Sequence, residues 1–182
     1  GMGRSLEMLG QRLAAQSFYE DVREAREFDS DRAARRLAAR LLEKPMSNID
    51  RTLLEGQNAF DSGRYEESER LLGAVLEEAG LSSDQRAESL YRLARCHHVT
   101  GRLPEAVDGY RAAMVAGAVG QTRWPAWSAY YIGRIEEASG QDQAARSSYE
   151  RALSYSGDYD YRNALEKNVR VALERLSQNR SR

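Results

Sequence analysis

Apolar residues recur along most of this chain at intervals of three and four, the spacing that lines one face of an α-helix, and runs of β-branched residues are few. Leu37 and Leu41 follow Ala33 at that spacing, and Leu165, Val169, Leu173 and Leu176 follow Tyr161. Between the helical stretches lie turns of one kind. Ser62-Gly63-Arg64-Tyr65, Thr100-Gly101-Arg102-Leu103 and Ser139-Gly140-Gln141-Asp142 each set a glycine after a hydroxyl residue, and the glycines are 38 and 39 residues apart. The flanks repeat too. Upstream of each turn stands a small residue, Gly56, Ala94 or Gly133; downstream, Ser68, Ala106 and Ala145 are followed by Leu72, Tyr110 and Tyr149, then by Val75, Ala113 and Ala152. This small-large-small order keeps one helical face thin, so a neighbouring helix can approach closely.

The repetition predicts helix pairs over 48–61 with 65–79, 84–99 with 104–117, and 125–138 with 142–156. Pro104 and Pro125 stand where a helix starts and no backbone N–H is needed, and Ser82 with Gln85 has the spacing of a capping box. A terminal repeat left unstacked would expose its apolar face, so residues 158–177 are expected to form a capping helix. At the other end Leu6, Leu9, Leu13 and Val22 predict one long first helix, and Asp29-Ser30-Asp31 opens a second that stops before Pro45. The expected division is an N-terminal helical hairpin or degenerate repeat over 2–47, repeats over 48–82, 83–120 and 121–157, and a capping helix with its tail over 158–182. The N-terminal part has a second reading, as an arm for self-association through Leu6, Leu9, Leu13 and Phe18.

Leu93-Ala94, Gly101, Ala106, Tyr110 and Ala113 resemble the signature positions of the tetratricopeptide repeat, a helix-turn-helix unit of about 34 residues, and so do Ile132-Gly133, Gly140, Ala145, Tyr149 and Ala152. Gly56, Gly63, Tyr65 and Leu72 form a weaker copy, in which Ser68 replaces the usual alanine. The chain departs from the family pattern in three ways. The signature tryptophan is missing from the first helices, Gly80, Ala118 and Gly157 stand where a proline closes each unit, and the period is longer by four or five residues. The resemblance implies an all-α fold, a right-handed α-α superhelix of stacked helical hairpins.

Composition narrows the function. With 27 Lys and Arg against 28 Asp and Glu, no bulk charge favours nucleic acid or an acidic membrane surface. Of the basic residues only Lys44 and Lys167 are lysine; the arginine excess suits forked contacts to carboxylates but also follows from GC-rich codon usage. No apolar run reaches the roughly 20 residues of a membrane span, the lone Cys96 has no internal disulfide partner, and the cytoplasm is the expected compartment. Cys96-His97-His98 is the one cluster of metal-ligand types, but successive helical residues point roughly 100° apart and do not converge on one ion. Ala116-Gly117-Ala118-Val119-Gly120 lacks the Lys-Ser/Thr of a phosphate-binding loop, and the adjacent carboxylates Glu66-Glu67, Glu77-Glu78 and Glu136-Glu137 diverge around their helices. Neither an enzymatic site nor a cofactor or metal is expected.

The resemblance implies that the first helix of each unit lines an inner groove. Carried over position by position, it assigns Asp50, Leu53, Gln57 and Phe60, then Glu88, Tyr91, Arg95 and His98, then Trp127, Tyr130, Arg134 and Glu137. Family members that act as chaperone adaptors grip a terminal carboxylate with lysine and asparagine there; this chain has neither, so that activity is not expected. Aromatic and guanidinium groups in rows suit an extended peptide, with or without an acidic group, lying over Tyr91, Arg95, Tyr130 and Arg134. The expected function is therefore a protein-binding scaffold or adaptor. The competing reading is a self-associating protein, a homo-oligomer or a chain whose groove is filled by its own N-terminal helix. At the level of single residues, Arg95 has Glu88 or Glu137 as a simple ion-pair alternative, and Trp124 is expected to plug the junction at whose lip Trp127 sits.

Overall fold

The structure is a computed structural model that describes residues 2–24, 32–119 and 122–179, with the side chains of Arg32, Ala33 and Asn179 left aside. All regular structure among the described residues is α-helical: α1 (Met2–Met8), α2 (Arg12–Glu24), α3 (Arg32–Glu43), α4 (Asn48–Asp61), α5 (Tyr65–Leu76), α6 (Ser83–Val99), α7 (Leu103–Ala116), α8 (Trp124–Ala138), α9 (Asp142–Ser154) and α10 (Arg162–Asn179). The chain divides into two compact units, Gly1–Arg51 and Thr52–Arg182.

In the first unit the expected single long helix is two. Gly10 adopts a φ of 75°, a left-handed conformation that glycine reaches without a Cβ clash, and it separates α1 from α2. Glu7 is buried to 2% exposure and organises the unit. Its Oε1 accepts from Arg12 Nη1 at 2.8 Å and from the Met46 backbone N–H at 3.2 Å, and its Oε2 accepts from the Tyr19 hydroxyl at 2.8 Å. Arg12 Nη2 in turn donates to the Leu41 carbonyl at the end of α3, at 2.6 Å. The expected apolar stripe is not continuous, because Leu9 and Leu13 are 72% and 83% exposed. The start signal Asp29-Ser30-Asp31 lies outside the described residues.

In the second unit, α5 to α10 pack as consecutive neighbours and α6 also touches α8 directly. The three repeated turns are hydrogen-bonded alike. Gly63, Gly101 and Gly140, with φ of 76°, 80° and 72°, donate to Phe60, His98 and Glu137, while the next residue donates to Ala59, His97 and Glu136. This paired closure of the last carbonyls is a Schellman motif, which explains why the turn needs glycine. The small-large-small residues are the core: Ser68 and Leu72, Ala106, Tyr110 and Ala113, and Ala145, Tyr149 and Ala152 have no exposed surface, and Val75 has 1%. Gly133 permits the approach of Tyr149, since a Cβ there would fall 2.7 Å from the ring. Ser68 is a substitution with a partner, its hydroxyl donating to the Gly56 carbonyl at 2.8 Å. Ser82 and Gln85 form the expected capping box at α6.

The final helix begins at Arg162 and buries Leu165, Val169, Ala172 and Leu176. Tyr161, expected on its apolar face, precedes it instead, with a φ of 65° and 57% exposure; Tyr159 is the buried ring.

Candidate functional site

The face made by α4, α6 and α8 carries the assigned groove positions, and it gathers aromatic rings rather than opposed charges. Leu53 and Tyr130 are buried, at 4% and 7%, whereas Gln57, Phe60, Tyr91, Arg95, His98, Trp127 and Glu137 are partly exposed and Arg134 is exposed. Leu53 thus gives its side chain to the core.

Arg95 on α6 is the centre of the cluster. Its Nη1 donates to the Tyr131 hydroxyl at 2.7 Å, and its guanidinium carbon lies 4.2 Å from the centre of the Tyr131 ring and 5.3 Å from that of Phe60. Helices α4, α6 and α8 therefore meet around one cation. The carboxylates that the sequence offered to Arg95 are engaged elsewhere: Glu88 accepts from Arg92 at 2.8 and 2.7 Å, and Glu137 accepts from Arg175 at 2.5 and 2.7 Å. Arg95 Nε is buried and has no hydrogen-bond partner. A charged donor placed in this way has lost water without gaining an anion.

Around this cation the rings interlock. Tyr131 stacks on Tyr110 with 5.7 Å between centroids and an 11° angle, and it meets Tyr91, Tyr130 and Trp127 at 6.1, 5.2 and 6.2 Å. Burial, followed by the neighbouring Tyr131, pushes the Tyr91 hydroxyl up to about 12. Trp124 is 5% exposed; its indole donates to Asp84 at 2.7 Å while its ring packs on Tyr91, so it closes the start of α8.

In the second and third repeats the tyrosine of the second helix meets the last groove position. The Tyr110 hydroxyl lies 3.3 Å from His98 Nδ1, and the Tyr149 hydroxyl donates to Glu137 at 2.7 Å. Burial, then the positive fields of Arg95 and Arg134, holds His98 below its ordinary value, so it stays neutral near pH 7. Arginine 175 is the first cause that holds Glu137 below the usual carboxylate range, with Tyr149 adding to it.

Tyr131 was not among the positions assigned from the sequence. Its signal was present in the helical row Trp124, Trp127 and Tyr131, which places three aromatic rings along one stripe of α8. Cys96 is buried and its thiol donates to Ser68 Oγ at 3.3 Å, turned away from His98 and its tyrosine. Among the described residues no group of three or more His, Cys, Asp or Glu side chains is arranged to hold a metal ion, and no helix is long and apolar enough to cross a membrane.

No protein-family model matches the chain, and no curated protein does either. Similarity is found among solved structures. A crystal structure of MamA aligns with a TM-score of 0.51 at 18% identity, over 100% of this chain and 98% of that one. A second MamA structure aligns with a TM-score of 0.51 at 19% identity, over 87% and 81%. MamA is a helical protein of tetratricopeptide-like fold, and the likeness sets this chain in the same fold class, an all-α superhelix of helical repeats.

Proposed function

We propose that this protein is a tetratricopeptide-type binding module whose α4, α6 and α8 face holds an extended segment of another protein. The observation that carries the reading is Arg95, a partly exposed guanidinium set among Phe60, Tyr91 and Tyr131 with no carboxylate partner among the described residues. A bound segment meets the partly exposed side of this guanidinium with a carboxylate or a backbone carbonyl and covers the exposed edges of Trp127 and Phe60. Neighbouring helices lie roughly 8–10 Å apart and an extended chain advances about 3.3–3.6 Å per residue, so successive repeats meet every third residue of the segment. This gives the face a means of reading a short motif. The fold shared with MamA supports a scaffold role rather than a catalytic one.

The test is selection of random heptapeptides on the purified full chain, followed by affinity measurement with Arg95→Gln and Arg134→Gln. The reading expects a shared motif among the selected peptides and at least roughly tenfold weaker binding by the double variant. Peptides that bind both proteins equally would place recognition elsewhere. Light scattering of the full chain tests the homo-oligomer form of the self-association reading, which requires a stable oligomer in the absence of peptide.

A further inference from the structure

The aromatic face of α6 and α8 is uneven in its hydrogen-bonding capacity. Its two assigned carboxylates are occupied within the fold, Glu88 by Arg92 and Glu137 by Arg175 and the Tyr149 hydroxyl. The Tyr131 hydroxyl already accepts from Arg95. The donors are less committed. The Arg95 guanidinium has no carboxylate partner among the described residues. The Trp124 indole N–H is given to Asp84, but that of Trp127 donates to no group among the described residues. Trp127 and Arg95 are partly exposed, as are Phe60, Tyr91 and Tyr131. Donors set among rings, with no carboxylate to spare, complement a chain that brings carbonyl oxygens and apolar surface but no N–H groups. An ordinary extended strand brings an N–H on every residue, and each one covered without an acceptor costs the desolvation of that group. Proline brings none.

Spacing agrees with the chemistry. A polyproline II helix has three residues per turn and rises about 3.1 Å per residue, so positions that face the same way recur at about 9 Å. Packed helices, as α6 and α8 are, lie roughly 8–10 Å apart. Tyr91 on α6 and Trp127 on α8 both touch the Tyr131 ring, at 6.1 and 6.2 Å, so successive turns of such a helix meet first one ring and then the next. Aromatic-lined surfaces take this conformation because it is preformed and loses little freedom on binding.

From this complementarity we infer that the segment held by the α4, α6 and α8 face is a proline-rich stretch of another protein in the polyproline II conformation. Its pyrrolidine rings pack on Tyr91, Trp127 and Tyr131, and its carbonyls accept from the Trp127 indole and the Arg95 guanidinium. The inference deepens the peptide-binding reading and rests on it.

The experiment follows the two indole N–H signals of the full chain by nuclear magnetic resonance during titration with two capped probes. Acetyl-hexaproline-amide lacks N–H groups along its chain, and acetyl-Ser-Ala-Ser-Ala-Ser-Ala-amide restores them at equal length. With hexaproline the Trp127 signal should move to saturation while that of Trp124, held by Asp84, stays in place. The serine-alanine probe should bind at least about tenfold more weakly. Trp127→Phe keeps a ring and removes the donor, and should weaken hexaproline binding roughly threefold to tenfold, read from the backbone amides of α6 and α8. A Trp127 signal that does not move, serine-alanine binding as tight as that of hexaproline, or unchanged hexaproline binding by Trp127→Phe would overturn the inference. Selected heptapeptides that depend on Arg95 but contain no proline overturn it and leave the broader reading standing, whereas the absence of any peptide that depends on Arg95 removes both.

Discussion

Arg95 and Tyr131 engage each other twice, the guanidinium donating to the hydroxyl at 2.7 Å while its carbon lies 4.2 Å from the ring centre. Both contacts cross between two repeats, so the residue proposed to meet the ligand also fastens α6 to α8. Tyr131→Phe keeps the ring and removes the acceptor. It should lower unfolding stability by about 1 kcal/mol in urea titration. Arg95→Glu should cost more, because it sets a carboxylate among phenolic oxygens and aromatic faces; the thermal melt of Arg95→Glu is therefore expected below that of Arg95→Gln.

Gly133 and Gly73 give opposite outcomes for the same substitution. Gly133→Ala drives a methyl to 2.7 Å from the Tyr149 ring and 3.2 Å from the Ala145 carbonyl, and should destabilise by about 1–3 kcal/mol. Gly73 lies within α5 with nothing within 4 Å of an added Cβ, so Gly73→Ala should stabilise by about 0.5–1 kcal/mol through helix propensity. Urea midpoints of the two variants check the contrast.

Acid should weaken the fold through His98. Its proton affinity is lower in the folded state than in the unfolded one, because burial and the fields of Arg95 and Arg134 oppose its charge. The unfolded chain therefore binds the proton first as pH falls. The His98 contribution to stability is intact above its ordinary value near 6.5 and is lost below it. His98→Gln should flatten the fall in urea midpoint between about pH 7 and pH 5.5, whereas Glu137 acts at more acidic pH in the same direction.

Glu7 holds the first unit by three accepted hydrogen bonds. Glu7→Leu leaves Arg12 and the Tyr19 hydroxyl without their acceptor in a buried site, and should cost about 3–5 kcal/mol. Amide hydrogen exchange in α1 and α2 should accelerate accordingly.

The helical course of the second unit was legible because its signals are local. A glycine with a positive φ, a capping pair and a small-large-small face each act within one or two helical turns, and they recur at a fixed period. The break between α1 and α2 was harder to read, since Gly10 lacks the hydroxyl residue that precedes the repeated glycines and its cause includes a buried carboxylate 39 residues from the backbone N–H it accepts. Glu7 looks like a surface residue on an isolated helix. The groove positions came from register, which places a side chain on a face but not its depth; Leu53 and Tyr130 therefore proved buried. Pairing is non-local as well. Glu137 was a possible partner for Arg95, and α10 takes it instead through Arg175.

Arg95 is the residue proposed to meet the bound segment, through the partly exposed side of its guanidinium. A proton-nitrogen correlation of the arginine Nε–H groups, recorded with and without a selected heptapeptide, reads that guanidinium directly. The Arg95 Nε–H signal is expected to shift and to exchange more slowly with water as the peptide saturates and covers the guanidinium. A signal that stays in place while the peptide is fully bound would contradict it.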